Sequence, residues 1–243
     1  MATANSTVTL GAVVGERITR FDAHQIIQHA GLAISFILLV LTGLPLKFHD
    51  AALSQWWVGL WGGIEATRLI HRGAAWVMVG ICIYHLFYLW YTIAILKRPF
   101  PVKIMPSGRD FVCLIQEIAY CLGLRKRPPK FDRFNWREKF DYWAIFWGMP
   151  VMVGSGFVLM FPVFVTGFLP GWIVPAALAA HSDEAMLALT WIAVIHIFFT
   201  HLAPGAFPVN TSMFTGKVPR ERYERDHPLE YERLTRTDDE VPM

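Results

Sequence analysis

Four long apolar stretches alternate with polar segments that carry most of the charge. They run over about residues 24–47, 69–96, 140–161 and 181–203. Each approaches or exceeds the roughly 20 residues that a helix needs to cross about 30 Å of hydrocarbon. Continuous apolar runs of this length predict helices, because a helix satisfies its own backbone in lipid. A fifth run, FVCLIQEIAYCLGL (Phe111–Leu124), is too short to span and is stopped by Gly123 and RKRPPK, so it reads as an interfacial helix. Trp56, Trp57 and Trp61 mark a second headgroup-level helix in the 48–68 connector. The pattern predicts an all-α integral membrane protein: one domain over residues 1–243, a four-transmembrane-helix bundle with short interfacial helices.

Composition agrees, and the distribution of charge adds orientation. The 243 residues are 54% hydrophobic and 17% charged. Eleven of the 22 Lys and Arg lie in the 97–139 loop and six in the tail from 204 to 243, whereas the 48–70 and 163–180 connectors hold one Arg between them. By the positive-inside rule both termini face the cytoplasm and the short connectors face outward. The expected setting is a bacterial-type cytoplasmic (inner) membrane, with lipid rather than nucleic acid as the surrounding partner. The first twenty residues form a polar arm without the features of a signal peptide. Cys82, Cys113 and Cys121 have no CxxC or CxxCH spacing, so covalent haem attachment and iron–sulfur ligation are not predicted.

Six histidines then change the picture: His29, His71, His85, His181, His196 and His201. Ionisable groups in a membrane helix are costly and mark functional paths. With spans one and three running outward, His71 and His181 open their spans at the outer side. His29, His85, His196 and His201 fall towards the cytoplasm. His71 and His85 are fourteen residues apart, about 40° and 21 Å on a helix, so they share a face. His181 and His196 are fifteen apart, about 60° and 22 Å. His201 is turned about 140° from His196, so the two cannot ligate one iron. Two axial imidazoles saturate a b-type haem iron and suit it to electron transfer. The pairing predicted is His71 with His181 outside. Inside, either His29 pairs with one of the other three, or all four hold two haems, with His85–His196 beside His29–His201. The haem b count is two or three.

With those positions in hand, most of the chain resembles the cytochrome b subunits of membrane-bound formate dehydrogenases and related hydrogenase and reductase anchors. The matching features are His29 with Thr42–Gly43, His71, Asn135 with Lys139 and Trp143, His196 and His201, Gly216–Val218, and His227–Pro228. The resemblance implies two b haems, with His29 and His201 on the inner one and His71 and His181 on the outer. It also implies a quinone (or menaquinone) site at the cytoplasmic side and an outer-side redox subunit. His85 is outside that pattern, and His181 lies further from His201 than the pattern has its two span-four ligands. These departures favour a diverged branch with a third haem, whose redox partner is either a multihaem c-type cytochrome or an iron–sulfur protein.

Asn135, Arg137, Lys139 and Asp141 gather where the third span meets the cytoplasm and are the candidates for quinone binding, which needs proton donors and hydrogen bonds to carbonyl oxygens. Surface charge is the plainer reading of the same four. His24 reads as interfacial, His49 as a polar boundary residue, and His227 and the mixed-charge tail as solvated or a docking face. The function expected is a respiratory subunit carrying electrons between an outer redox partner and the quinone pool. The alternatives are a membrane anchor without redox chemistry and a transporter with a histidine proton relay.

Overall fold

A computed structural model describes residues 13–14, 17–203 and 206–239 of the chain. In chain order the helices are α1 (Ala23–Lys47), α2 (Ala52–Leu60), α3 (Ile64–Trp90), α4 (Gly108–Cys121), α5 (Trp136–Met160), α6 (Pro162–Thr166), α7 (Ile173–Thr190), α8 (Ser212–Thr215), α9 (Arg220–Asp226) and α10 (Pro228–Asp239). A wide π-helical turn, Tyr91–Ile95, prolongs α3, and two more, Trp191–His196 and Phe198–Leu202, prolong α7. Four of these helical segments, containing α1, α3, α5 and α7, are long and apolar enough among the described residues to cross a membrane. The all-α membrane architecture expected from the sequence is therefore present.

Two helix starts differ from expectation. α3 begins at Ile64 rather than near 69, launched by Gly62 and Gly63, both at positive φ, where a side chain would be strained. α7 begins at Ile173, well before His181, because Pro175 falls in the first turn, where no amide hydrogen is needed. His71 and His181 consequently do not open their helices. Each sits about two turns inside one, and to a matching extent. At α5, Asn135 and Glu138 cap the start reciprocally: Glu138 N–H donates to Asn135 Oδ1 and Asn135 N–H to Glu138 Oε2, both at 2.9 Å.

The chain divides into two compact units. One comprises residues 24–97 and 147–195. Apart from Val165, its buried positions are mostly small or polar (Gln28, Ser35, Thr42, Thr67, Ala74, Ser155, Ala177), while Ile34, Ile37, Trp76, Val77, Phe87 and Trp90 are exposed. Helices in lipid pack this way, with small residues between them and large apolar ones outward. Gly31 shows how closely α1 and α3 approach: an added Cβ would stand 2.7 Å from Ile81 Cδ1.

The other unit holds residues 98–146, the chain from His196 onward and the segment preceding α1. It contains a small sheet that the sequence pattern did not foretell. Strands β1 (Val13–Val14), β2 (Arg17–Thr19) and β3 (Lys217–Pro219) run antiparallel in that order, with Ile18 opposite Val218. Ile18, Val218, Tyr223 and Tyr231 form a core, with Leu234 against it. The tail is thus not a solvated face. Glu230 is 4% exposed and accepts from Tyr223 Oη at 2.5 Å and from Arg133 Nη1 at 3.2 Å. His227 is 5% exposed, bonded through Nδ1 to the Asp132 carbonyl at 2.7 Å. Several tail charges are paired: Arg222 with Asp226 at 3.3 Å, Glu230 with Arg133 at 3.2 Å, and Arg233 with Asp132. In the same unit, α4 starts at a Ser107–Asp110 capping box. Its Phe111, Ile115 and Ile118, with Leu122 just beyond, form one exposed stripe, the one-sided face expected of an interfacial helix.

Candidate functional site

His71 on α3 and His181 on α7 face each other with ring centroids 6.3 Å apart and planes at 65°. Two imidazole nitrogens on one metal at about 2.0–2.1 Å, each with its ring centre about 1.1 Å further back, put the centres about 6.3 Å apart. The observed pair has the separation that a single iron between the rings requires.

Matched elements hold both rings. His71 Nδ1 lies 2.9 Å from Thr42 Oγ1, whose own hydrogen is directed to the Leu38 carbonyl at 2.7 Å. His181 Nδ1 lies 3.0 Å from Ser155 Oγ, whose hydrogen goes to the Val151 carbonyl at 2.6 Å. A hydroxyl has one hydrogen, so with that committed to the helix backbone the oxygen accepts and each Nδ1–H donates. Nε2 is left with its lone pair on both histidines, the tautomer that binds a metal. The residue after each hydroxyl is glycine. An added Cβ on Gly43 would stand 3.2 Å from His71 Cε1, and one on Gly156 3.3 Å from His181 Cε1. Thr42–Gly43 was visible in the sequence. Ser155–Gly156 was missed, and its signal was the recurrence of a hydroxyl–glycine pair late in an apolar span.

The remaining histidines differ in their surroundings. His85 Nδ1 lies 2.7 Å from Gln28 Oε1. Gln28 is buried beside half-buried His29, and its Nε2 has no hydrogen-bond partner among the described residues. His196 Nδ1 lies 2.8 Å from Asp141 Oδ2, an acceptor that puts the proton of a neutral ring on Nδ1. His201 is the opposite case: its Nδ1 accepts the Asn210 backbone N–H at 3.3 Å, which puts the proton of a neutral ring on Nε2. His24 bonds Tyr84 Oη at 2.6 Å, and exposed His49 pairs with Asp50.

The four candidate quinone residues do not converge as a group. Asn135 is the helix cap, and Asp141 holds His196. Arg137 pairs with Glu117 and lies 4.1 Å from the Phe199 ring centre. Lys139 pairs with Asp110 at 2.9 Å, and both line a cleft that includes Met105, Cys113, Phe131 and Phe134. Burial alone would raise the Asp110 carboxyl, but hydrogen bonds from Lys139 and Ser107 outweigh it and hold the group below its ordinary range.

Facing histidines on a four-helix membrane scaffold, each turned to present Nε2, define a membrane-bound b-type cytochrome. The chain belongs to the prokaryotic cytochrome b561 family, whose family model matches residues 20–216. It is 24% identical over 223 residues to the formate dehydrogenase cytochrome b556(fdo) subunit of Escherichia coli K12, which covers 91% of this chain and 95% of that one. The nitrate-inducible formate dehydrogenase cytochrome b556(Fdn) subunit of the same organism is 21% identical over 210 residues, 86% and 88% of the respective chains. The protein is a multi-pass cytochrome of the bacterial inner membrane, with haem b as its cofactor and a place in respiratory electron transfer.

Proposed function

We propose that this cytochrome carries electrons across the membrane between a redox subunit on the outer side and the quinone pool, using at least two b haems. The observation that carries the reading is the His71–His181 pair, whose spacing and tautomers fit one iron. Bound there, haem would supply a one-electron couple with both axial positions filled, which favours electron transfer over oxygen chemistry. The protein's own part is to orient the two imidazoles and to surround them with low-dielectric helix.

For the second haem the sequence offers His29, His85, His196 and His201. The resemblance favours His29 and His201, but hydrogen bonding supports His196 over His201: Asp141 keeps the proton of a neutral His196 on Nδ1, whereas the Asn210 N–H given to Nδ1 leaves that of His201 on Nε2. The unpartnered Nε2 of Gln28 also speaks for a bound group near His29. A buried unsatisfied donor costs about 1–3 kcal/mol, which an acceptor on that group would remove. The two relatives are named as formate dehydrogenase subunits, which supports a place in a multisubunit oxidoreductase. The partner here is an iron–sulfur protein or a multihaem c-type cytochrome. The quinone reading keeps Lys139, with Asn135, Arg137 and Asp141 framing the start of α5. Lys139 is the one of the four that lines the cleft.

Haem stoichiometry by pyridine haemochrome against protein mass tests the reading. The expected value is two, or three if His85 has its own iron. His71→Ala is expected to remove one haem and leave the rest. His196→Ala should remove a haem, whereas His201→Gln should not. Purified protein free of haem would refute the cytochrome reading and leave the anchor or proton-relay alternatives.

A further inference from the structure

We infer that Thr42 and Ser155 are matched positioning residues that set the reduction potential of the haem held by His71 and His181. The inference rests on the haem pair proposed above. Each hydroxyl comes from the preceding long apolar helix, α1 for α3 and α5 for α7, and is followed by a glycine that gives the imidazole edge its room. Thr42 is 0% exposed and Ser155 8%, so no water competes for either contact.

Back-bonding of a hydroxyl to the carbonyl four residues earlier is common in membrane helices and by itself implies nothing about a cofactor. Ser35 provides the comparison on α1. It is buried and bonds the Gly31 carbonyl at 2.7 Å, yet no hydrogen bond from it to a histidine is present among the described residues. Thr42 and Ser155 make the same backbone bond and in addition receive an Nδ1–H. An acceptor on Nδ1 raises the electron density at Nε2, which stabilises Fe(III) and lowers the potential. A neutral hydroxyl, already polarised by its own bond to a carbonyl, does this less than a carboxylate would. With one hydroxyl behind each imidazole, at 2.9 and 3.0 Å, the two histidines that would hold the haem are supported alike.

The test is a spectroelectrochemical titration of the purified protein carrying Thr42→Val, Ser155→Ala, both together, Thr42→Ser, or Ser35→Ala. Thr42→Val and Ser155→Ala are each expected to keep full haem content and to raise the potential of one haem only, the one lost in His71→Ala. The double variant should move further, by about tenfold in the Fe(III)/Fe(II) ratio, ~59 mV for a one-electron couple. Thr42→Ser and Ser35→Ala should match the wild type. Unchanged potentials in the double variant at full haem content would overturn the inference, as would an equal shift in Ser35→Ala. If Thr42→Val loses the haem, Thr42→Ser decides: retention at wild-type potential supports the role, and loss there too shows a packing requirement only and overturns it. A wild-type protein without haem would count against the proposed function instead.

Discussion

A carboxylate and a hydroxyl make different demands on the imidazole they hold. Asp141 accepts from His196 at 2.8 Å, and both side chains are 23% exposed, whereas Thr42 and Ser155 are neutral acceptors in fully packed surroundings. A charged acceptor pulls harder on Nδ1–H and makes Nε2 the stronger donor to a metal. Asp141→Asn therefore should raise the potential of the haem proposed at His196 and leave that of the haem proposed at His71 and His181 where it is. The same redox titration reads both. If the two potentials move together, or neither moves, Asp141 does not act through His196. A wide turn accounts for the sequence position of His196. His196 ends a wide turn of α7, and that turn absorbs one residue, so its fifteen-residue spacing from His181 turns the ring much as the fourteen residues between His71 and His85 do.

At the scale of elements, α9 and α10 are the part most exposed to pH. Burial, reinforced by the nearby Arg20 charge, pushes the His227 imidazole below its ordinary range, despite Glu138 and Asp226 pulling the other way. A group whose folded pKa is depressed binds its proton more readily when unfolded. The stability it contributes is complete above the unfolded value, about 6.5, and is lost as pH falls through the folded one. Amide exchange over residues 217–236 should accelerate as pH drops below about 6.5, after correction for intrinsic rates. His227→Gln should flatten that dependence. Protection independent of pH in the wild type would contradict the assignment. Arg133→Met tests the neighbouring network differently. It leaves Glu230 buried with fewer partners, and breaking such a pair costs about 3 kcal/mol, read as a lower midpoint for opening of the tail.

This element is also where the sequence was least legible. The four spans and the short helices α2 and α4 could be read directly, since twenty apolar residues or a run of tryptophans encode membrane depth without help from the rest of the chain. The tail could not. Tyr223, Tyr231 and Leu234 are three apolar positions among many charges, and their core exists only because Ile18, some two hundred residues earlier, pairs across from Val218. His71 and His181 were legible as a pair, but their positions along their helices were not, because Gly62–Gly63 and Pro175 read as connector while the chain uses them to start helices. His201 looked as good a ligand as His196. The sequence carries no sign that Asn210 supplies an N–H to one while Asp141 accepts from the other.

For the whole molecule, the direction in which it crosses the membrane decides which face meets the redox partner and which meets quinone. Half of its Lys and Arg lie between residues 97 and 139, and the positive-inside rule predicts a cytoplasmic position for that segment. The chain carries its own reporter there. Cys121, at the end of α4, is exposed, while Cys113 on the same helix is buried and Cys82 lies within α3. In a Cys82→Ala, Cys113→Ala background, a membrane-impermeant maleimide should label Cys121 in inverted membrane vesicles and not in intact spheroplasts. The reverse result would turn the molecule over. His71 and His181 would then stand near the cytoplasm, on the side opposite the redox partner proposed above. Because α4 presents its apolar stripe of Phe111, Ile115 and Ile118 to one side, labelling in inverted vesicles should also slow when anionic lipid is enriched. Arg125, Lys126 and Arg127 follow that stripe closely and are exposed, so a negative bilayer surface draws the end of the helix, and Cys121 with it, towards the headgroups.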